Sequence, residues 1–289
     1  MRLLTDKKIL DSLTCPHCRE TLCVENKSLV CDGAIKKHCF DFGGGGYVNF
    51  GAPVQSGGGD SKSAVRARSA FLNLGYYSPV AEAIARNIKE FCDSNDGVVI
   101  DAGCGEGYYS DRIAAEGYSV IGADLSKFAV DAASKRANAS GRENSFFAVA
   151  SVFSLPVKDE CASAVVNVFA PCVEKEYSRV IKKDGVLIVV SAGQEHLMGL
   201  KKALYDEVRE NNERADMPKD MEKIKEENIR FDIRVEGKEA IADLFEMTPY
   251  YWRTSINDAK KLDNIDILNT EIDMTLTVYR KNASVKERT

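Results

Sequence analysis

Histidine is scarce, with three in 289 residues, and two of them, His17 and His38, fall inside a cysteine-rich stretch near the start. His196 is then the one imidazole in the rest of the chain, which disfavours a Ser-His-Asp hydrolase. Long apolar runs are also missing. None approaches the ~20 residues of a membrane-spanning helix, so the sequence excludes membrane insertion. The opening MRLLTDKKILDSLTC carries Asp6, Lys7, Lys8 and Asp11 where a signal peptide needs an uninterrupted apolar region, and a cytoplasmic address is expected. Nor is there a basic excess. A formal net charge of −5 argues against a protein that coats nucleic acid nonspecifically, although it leaves room for a local basic site. One candidate is SKSAVRAR at 61–68, where Lys62, Arg66 and Arg68 stand without an acid and could meet phosphates, or could merely decorate a solvated helix.

What is abundant is cysteine in one place. Of nine cysteines, five crowd between Cys15 and Cys39, and in a reducing compartment such crowding points to metal rather than disulfides. CPHC supplies Cys15 and Cys18 at knuckle spacing, and Cys31 with His38 completes four ligands for a structural zinc ion with no open position for catalysis. The wide interval before His38 leaves Cys39 as a competitor for the fourth place. A segment this small cannot build its own core, which favours metal over free thiols.

The chain divides into three segments: a zinc-binding stretch at 1–50, a linker with helices at 51–92, and a larger domain at 93–289. GGGG at 43–46 and SGGG at 56–59 mark the linker, and apolar spacing predicts two helices over 61–92. From Val98 onward, strand-like and helix-like runs alternate, which means βαβ units and a parallel sheet. A charged stretch over 196–228 reads as helix, followed by a strand at FDIRVEG, a helix at 238–246 and a closing antiparallel strand near EIDMTLTVYR. The expected fold is α/β and Rossmann-like, with a seven-stranded, mostly parallel sheet.

The sharpest motif is VVIDAGCGEGYYS, an apolar strand running into a glycine-rich turn before a helix. Asp101, Gly103, Cys104, Gly105, Glu106, Gly107 and Tyr108 are candidate cofactor-binding residues, because glycine lets backbone N–H groups approach a ligand closely. The GxGxG spacing with an acid two residues upstream resembles the first motif of class I methyltransferases, which implies S-adenosylmethionine as the cofactor. SVIGAD ends at Asp124, placed to accept ribose hydroxyls or to cap the helix opening near Leu125. Ala150 and Ser151 follow the third strand; many class I enzymes have Asp where Ser151 stands, so its bond to the adenine is an open assignment. NVFAP brings Asn167, Phe169 and Pro171 to the carboxyl edge of the fourth strand, where ligands of such sheets bind, and with His196 they are the candidate catalytic residues. Phe169 is equally readable as core.

Together CPHC, HCFDFGGGGYVNF, RARSAFLNLGYYSP, DAGCGEGYYS, NVFAPC, HLMGLK and MTPYYWR resemble the bacterial 23S rRNA guanine-N1 methyltransferases of the RlmA (RrmA) group, over about residues 15–253. The resemblance implies a zinc-bearing N-terminal module that helps hold a 23S ribosomal RNA hairpin, with Cys15, Cys18, Cys31 and His38 as ligands. It also implies a domain that methylates N1 of one guanine, with Phe169, Tyr251 or Trp252 available to stack on a displaced base. Two other readings stay open: a small-molecule methyltransferase, and a non-catalytic zinc-dependent RNA-binding protein. Whether the chain forms a homodimer is not legible.

Overall fold

The computed structural model describes residues 4–33, 36–51, 60–208, 211 and 221–281. The chain opens with α1 (Lys7–Ser12), β1 (Leu22–Glu25), β2 (Ser28–Cys31), β3 (Cys39–Asp41) and β4 (Val48–Asn49). Helices α2 (Lys62–Asn73) and α3 (Ser78–Phe91) lead to β5 (Val98–Ala102), α4 (Tyr108–Ala115), β6 (Val120–Asp124), α5 (Lys127–Ala139), β7 (Ser145–Val149), β8 (Ala162–Val168), α6 (Glu174–Val180) and β9 (Ile181–Ala192). After α7 (Met198–Leu204) come β10 (Met221–Glu236), α8 (Lys238–Glu246), α9 (Ile256–Ala259) and β11 (Ile267–Lys281).

The reasons are local. Helix α3 buries Val80, Ile84 and Ile88 at four-residue spacing and carries Pro79 in its first turn, where no hydrogen-bonded N–H is needed. The α5 N-cap is Ser126, whose hydroxyl accepts from the N–H of Ala129. Strands β5 and β7 are buried along their whole length, as strands covered by helices on both faces must be.

One sheet runs β10-β11-β9-β8-β5-β6-β7-β4, parallel from β4 through β9, with β11 antiparallel to both β9 and β10. The expected seven strands are there as β5 to β11. The eighth comes from the N-terminal segment, where β4 pairs in parallel with β7 through Val48↔Ala148 and Asn49↔Val149. That segment is therefore stitched into the larger domain. Leu4, Ile9, Leu13 and Phe50 share one apolar cluster with Ile100 and Phe146 of the sheet. Arg19 reinforces the seam by donating to the carbonyls of Leu155 and Val157 at 3.3 and 3.1 Å. The helices of 61–92 likewise belong to the large core, in which Phe71, Tyr77 and Ile84 pack with Val99 and Val190.

One sequence reading changes. Among the described residues, the stretch read as helix over 196–228 is helical only at Met198–Leu204, and its end from Met221 is already strand. Residues 209–210 and 212–220 of that stretch, and SGGG of the linker, lie outside the described residues. The charges that mimic a helix instead line an outer strand, and Glu227 and Lys225 reach back to Arg86 and Glu90 of α3. At the start of β9, Asp184 adopts φ 64°.

Candidate functional site

At the carboxyl end of β5 the chain turns through Gly103, Gly105 and Gly107, all with positive φ. Gly103 has φ 82°, and a Cβ there would stand 2.5 Å from the Cβ of Ala170, so the loop closes against the end of β8 only because glycine lacks a side chain. Asp101 is 1% exposed, and burial pushes its carboxyl up to about 7 despite a hydrogen bond from the hydroxyl of Ser110; Glu106 and Asp124 add to the rise. The loop contributes backbone more than side chains. Cys104 points into an apolar cluster with Val130 and Phe147, and Tyr108 turns under the guanidinium of Arg136, 5.7 Å from its ring centre.

Asp124 ends β6 and binds the loop directly. Its two oxygens accept from Gly105 N–H at 3.1 Å and Ser126 N–H at 2.8 Å. Burial holds its carboxyl above the usual range, with these N–H groups and Arg68 opposing. Ser126, not Asp124, caps the helix, and each Asp124 oxygen keeps a second lone pair for a further donor. Leu125 beside it is 39% exposed. Ala150 is buried and donates to Asp124 O, whereas the hydroxyl of Ser151 accepts from Phe153 N–H and closes its own turn.

The residues after β8 separate into a brace and a platform. Asn167 is 1% exposed, and its amide donates to Pro171 O at 3.0 Å and the Tyr177 hydroxyl at 2.9 Å, so it stiffens the NVFAP turn from below rather than meeting a base edge. Tyr177, which the sequence reading passed over, donates to the same Pro171 carbonyl. Phe169 is not core. It is 54% exposed with φ 55°, a left-handed conformation that costs a non-glycine residue about 1–3 kcal/mol and concentrates at functional sites.

His196 lies 5.8 Å from Phe169, ring centre to ring centre, and is buried. Burial pushes it down to about 4, leaving it neutral. Asp273 N–H donates to Nδ1 at 3.3 Å, so the proton resides on Nε2, which faces the Tyr77 hydroxyl at 3.5 Å. Both nitrogens are engaged, which argues against the proton-transfer role expected for it and makes it a support beneath Phe169. Tyr251 and Trp252, expected to be available for stacking, are 39% and 69% exposed.

The basic run is not a free patch. Arg66 pairs with Asp243 at 2.9 Å and Glu246 at 3.6 Å, tying α2 to α8. Arg68, about 200° around an ideal helix from Arg66, faces the glycine loop and bridges Glu106 and Asp60, each at 2.5 Å. Burial works against its charge, and the two carboxylates together more than offset that. Both arginines are engaged in internal ion pairs, and the Arg66 side chain still keeps 58% of its surface exposed. The partners lie far along the chain, and only the two-residue separation hinted that the arginines point apart.

In the N-terminal segment the ligand atoms of Cys15, Cys18, Cys31 and His38 all lie within 4.8 Å of one another. Individual separations are 3.5 Å from Cys15 Sγ to His38 Nδ1, 3.4 Å from Cys31 Sγ to His38 Nδ1, and 3.7 Å between Cys18 and Cys31 Sγ. A tetrahedral zinc with ordinary Zn–S and Zn–N bonds needs edges of about 3.5–3.8 Å, so the donor set fits that ion. Burial opposes ionisation of Cys31, yet backbone N–H groups, that of His38 foremost, bring its thiol down to about 6. Cys39 is exposed and turns toward Asp41, outside the cluster.

The methyltransferase domain family matches residues 93–247. A Streptomyces fradiae protein named 23S rRNA (guanine(748)-N(1))-methyltransferase is 31% identical over 95% of this chain and 98% of its own. A Bacillus subtilis (strain 168) protein is 27% identical over 92% of this chain and 96% of its own. A Micromonospora griseorubida protein is 28% identical over 93% and 96%. Both are provisionally named 23S rRNA (guanine-N1)-methyltransferases.

Proposed function

Because the chain belongs to the family of 23S rRNA (guanine-N1)-methyltransferases, we propose that it methylates N1 of one guanine in a 23S ribosomal RNA hairpin. It is an S-adenosylmethionine-dependent methyltransferase. The likeness to a relative through both the Cys/His segment and the sheet carries the reading. No helix among the described residues is long and apolar enough to cross a membrane, and a ribosomal RNA substrate fits a cytoplasmic address.

S-adenosylmethionine supplies an electrophilic methyl group on a sulfonium. The chain's own task is alignment, since an in-line displacement gains much of its rate from holding the reactants in register. In this reading the Gly103–Gly107 backbone lines the methionyl part, and Asp124 accepts ribose hydroxyls through its remaining lone pairs. Phe169, held exposed over His196, stacks on the guanine after it leaves its helix. The N-terminal segment, set by zinc, holds the hairpin.

The test is incubation with labelled S-adenosylmethionine and bulk ribosomal RNA, followed by primer extension. A methyl on N1 blocks base pairing, so extension should stop at one guanine. Label in extracted small molecules instead supports a small-molecule enzyme, and no label anywhere supports a non-catalytic RNA binder. A second measurement addresses Asp124. Asp124→Ala should weaken cofactor binding by ~1.5–3 kcal/mol, the usual range for hydrogen bonds to a charged group; unchanged affinity in calorimetry removes Asp124 from the site.

A further inference from the structure

Beyond the Phe169 platform the chain builds a second opening that methyl transfer does not use. Between α8 and α9 lies a cavity of about 740 Å³ whose wall includes Phe245, Tyr251, Ile256, Lys238, Lys260 and Asp263. Its volume falls within the ~300–1,000 Å³ of ordinary ligand sites. The turn that carries its aromatic wall is fixed. Tyr250 O accepts the N–H groups of Arg253 and Thr254 at 2.9 Å each, and the Thr254 hydroxyl at 2.8 Å. Three rings run outward along that wall: Phe245 is buried, Tyr251 meets it at 5.4 Å between ring centres, and Trp252 meets Tyr251 at 5.1 Å. The series ends in apolar surface, with Trp252 69% and Ile256 77% exposed, and exposed apolar patches of this kind mark interaction sites. Phe169 is not part of the wall, but the two are linked. The Tyr250 hydroxyl donates to Asn211 Oδ1 at 3.1 Å, and the Asn211 amide donates to O of His196, the support beneath Phe169, at 2.9 Å.

The chemistry of the groove selects nucleic acid over protein. Lys238 and Lys260 line it with Asp263 as the one carboxylate, and Arg253 stands in the turn between Trp252 and Thr254. Lys238 pairs loosely with Asp266, at 3.9 Å, and among the described residues the Arg253 and Lys260 side chains form no ion pair. Lysine is depleted at protein–protein interfaces, whereas exposed rings beside cations are how single-stranded nucleic acid is held, with bases stacked on the rings and phosphates on the cations. We propose that this groove binds an unpaired nucleotide of the RNA other than the one that is methylated, its base stacked on Trp252 and its phosphates paired with Arg253 and Lys260. This rests on the RNA reading above, in which Phe169 meets the target guanine. A substrate must then present open strand at two places, which an uninterrupted duplex cannot do.

Trp252 is the one tryptophan in the chain, so its fluorescence reports on the groove directly. Titration with a protein-free transcript of 23S ribosomal RNA should quench that emission as a base stacks on the indole. Trp252→Ala should raise the KM for RNA about five- to hundred-fold, the range of one lost base stack, with kcat and affinity for S-adenosylhomocysteine unchanged. The side chain is exposed, so its removal leaves the fold intact. Trp252→Phe, which keeps an aromatic face, should recover most of the loss. Arg253→Gln combined with Lys260→Gln should weaken RNA binding and flatten its dependence on salt. Saturating RNA that is methylated at one guanine yet leaves the emission unchanged overturns the groove proposal alone. So does a Trp252→Ala enzyme that loses kcat and keeps its KM, which would place the indole at the reacting centre. Emission that responds only when ribosomal proteins accompany the RNA assigns the groove to a protein and overturns the proposal too. Unmodified protein that neither binds nor methylates the transcript sinks the RNA reading and this proposal with it.

Discussion

Cys31→Ser should abolish stoichiometric zinc and lower the melting temperature by on the order of 10 °C or more. The Cys31 thiol is fully buried, accepts His38 N–H, and stands within 3.4–3.7 Å of two other ligand atoms. Structural zinc contributes about 10–16 kcal/mol of apparent binding energy in small modules, and little else could replace it in a segment with three short strands of its own sheet. At about 2–4 °C per kcal/mol for a domain of this size, loss of even a third of that energy reaches the stated shift. The effect extends beyond the ligands, because Cys15 and Leu29 pack in the same apolar cluster as Ile100 and Phe146. Elemental analysis together with calorimetric melting checks this; a zinc-free variant that melts with the native protein refutes a structural role for the metal.

Gly103→Ala should reduce methyl transfer by about a hundred-fold, the scale associated with a misplacement of about 1 Å at a reacting centre. Its φ of 82° is strained for alanine, and the new methyl would stand 2.5 Å from the Ala170 Cβ, so loop and β8 end must move apart. In the proposed reading, transfer takes place between those two segments. Gly117→Ala separates the causes. It has φ 91° with no atom within 4 Å of the added Cβ, so it carries the backbone strain without the collision. It should lose stability and keep its activity. Equal activity loss in both variants would show that strain alone is responsible and that the closeness of Gly103 to Ala170 is irrelevant.

The sequence made the sheet legible because buried parallel strands are continuous apolar runs, and the glycine loop because backbone turns of that kind demand glycine. Helix α8 was legible to the residue, since its apolar spacing is bounded by Gly237 on one side. Residues 221–228 were not. Alternating Lys and Glu satisfy both an outer strand and a helix surface, and only the pairing of Met221 with Lys281 and of Glu226 with Thr277 selects the strand. The candidate site was legible in what it offers as backbone and hidden in what its side chains touch. Arg66 and Asp243 are 177 positions apart, Arg68 and Glu106 are 38, and no local pattern announces either pair. His196 was singled out for its rarity, but its chemistry is decided by Asp273 and Tyr77, which the sequence gives no reason to bring together. The choice between His38 and Cys39 likewise turns on which way two adjacent side chains face at the entry to β3, where Cys39 opens the strand, a matter of local direction rather than spacing.

The pairing of β4 with β7 also sets an order of events during synthesis. Val48 leaves the ribosome well before its partner Ala148, and the two can meet only after α2, α3, β5, α4, β6 and α5 have emerged between them. Throughout that interval the first segment must stay compact without the sheet that later covers its apolar face. A metal held by residues within its own 38 positions can act at once, since all four ligands are already outside. The nascent chain therefore gains a knot that does not depend on distant partners. The same geometry limits exchange of this segment between related proteins: a graft of residues 1–50 must bring a strand that fits the β7 edge of its new host, or leave that edge open to pairing between chains.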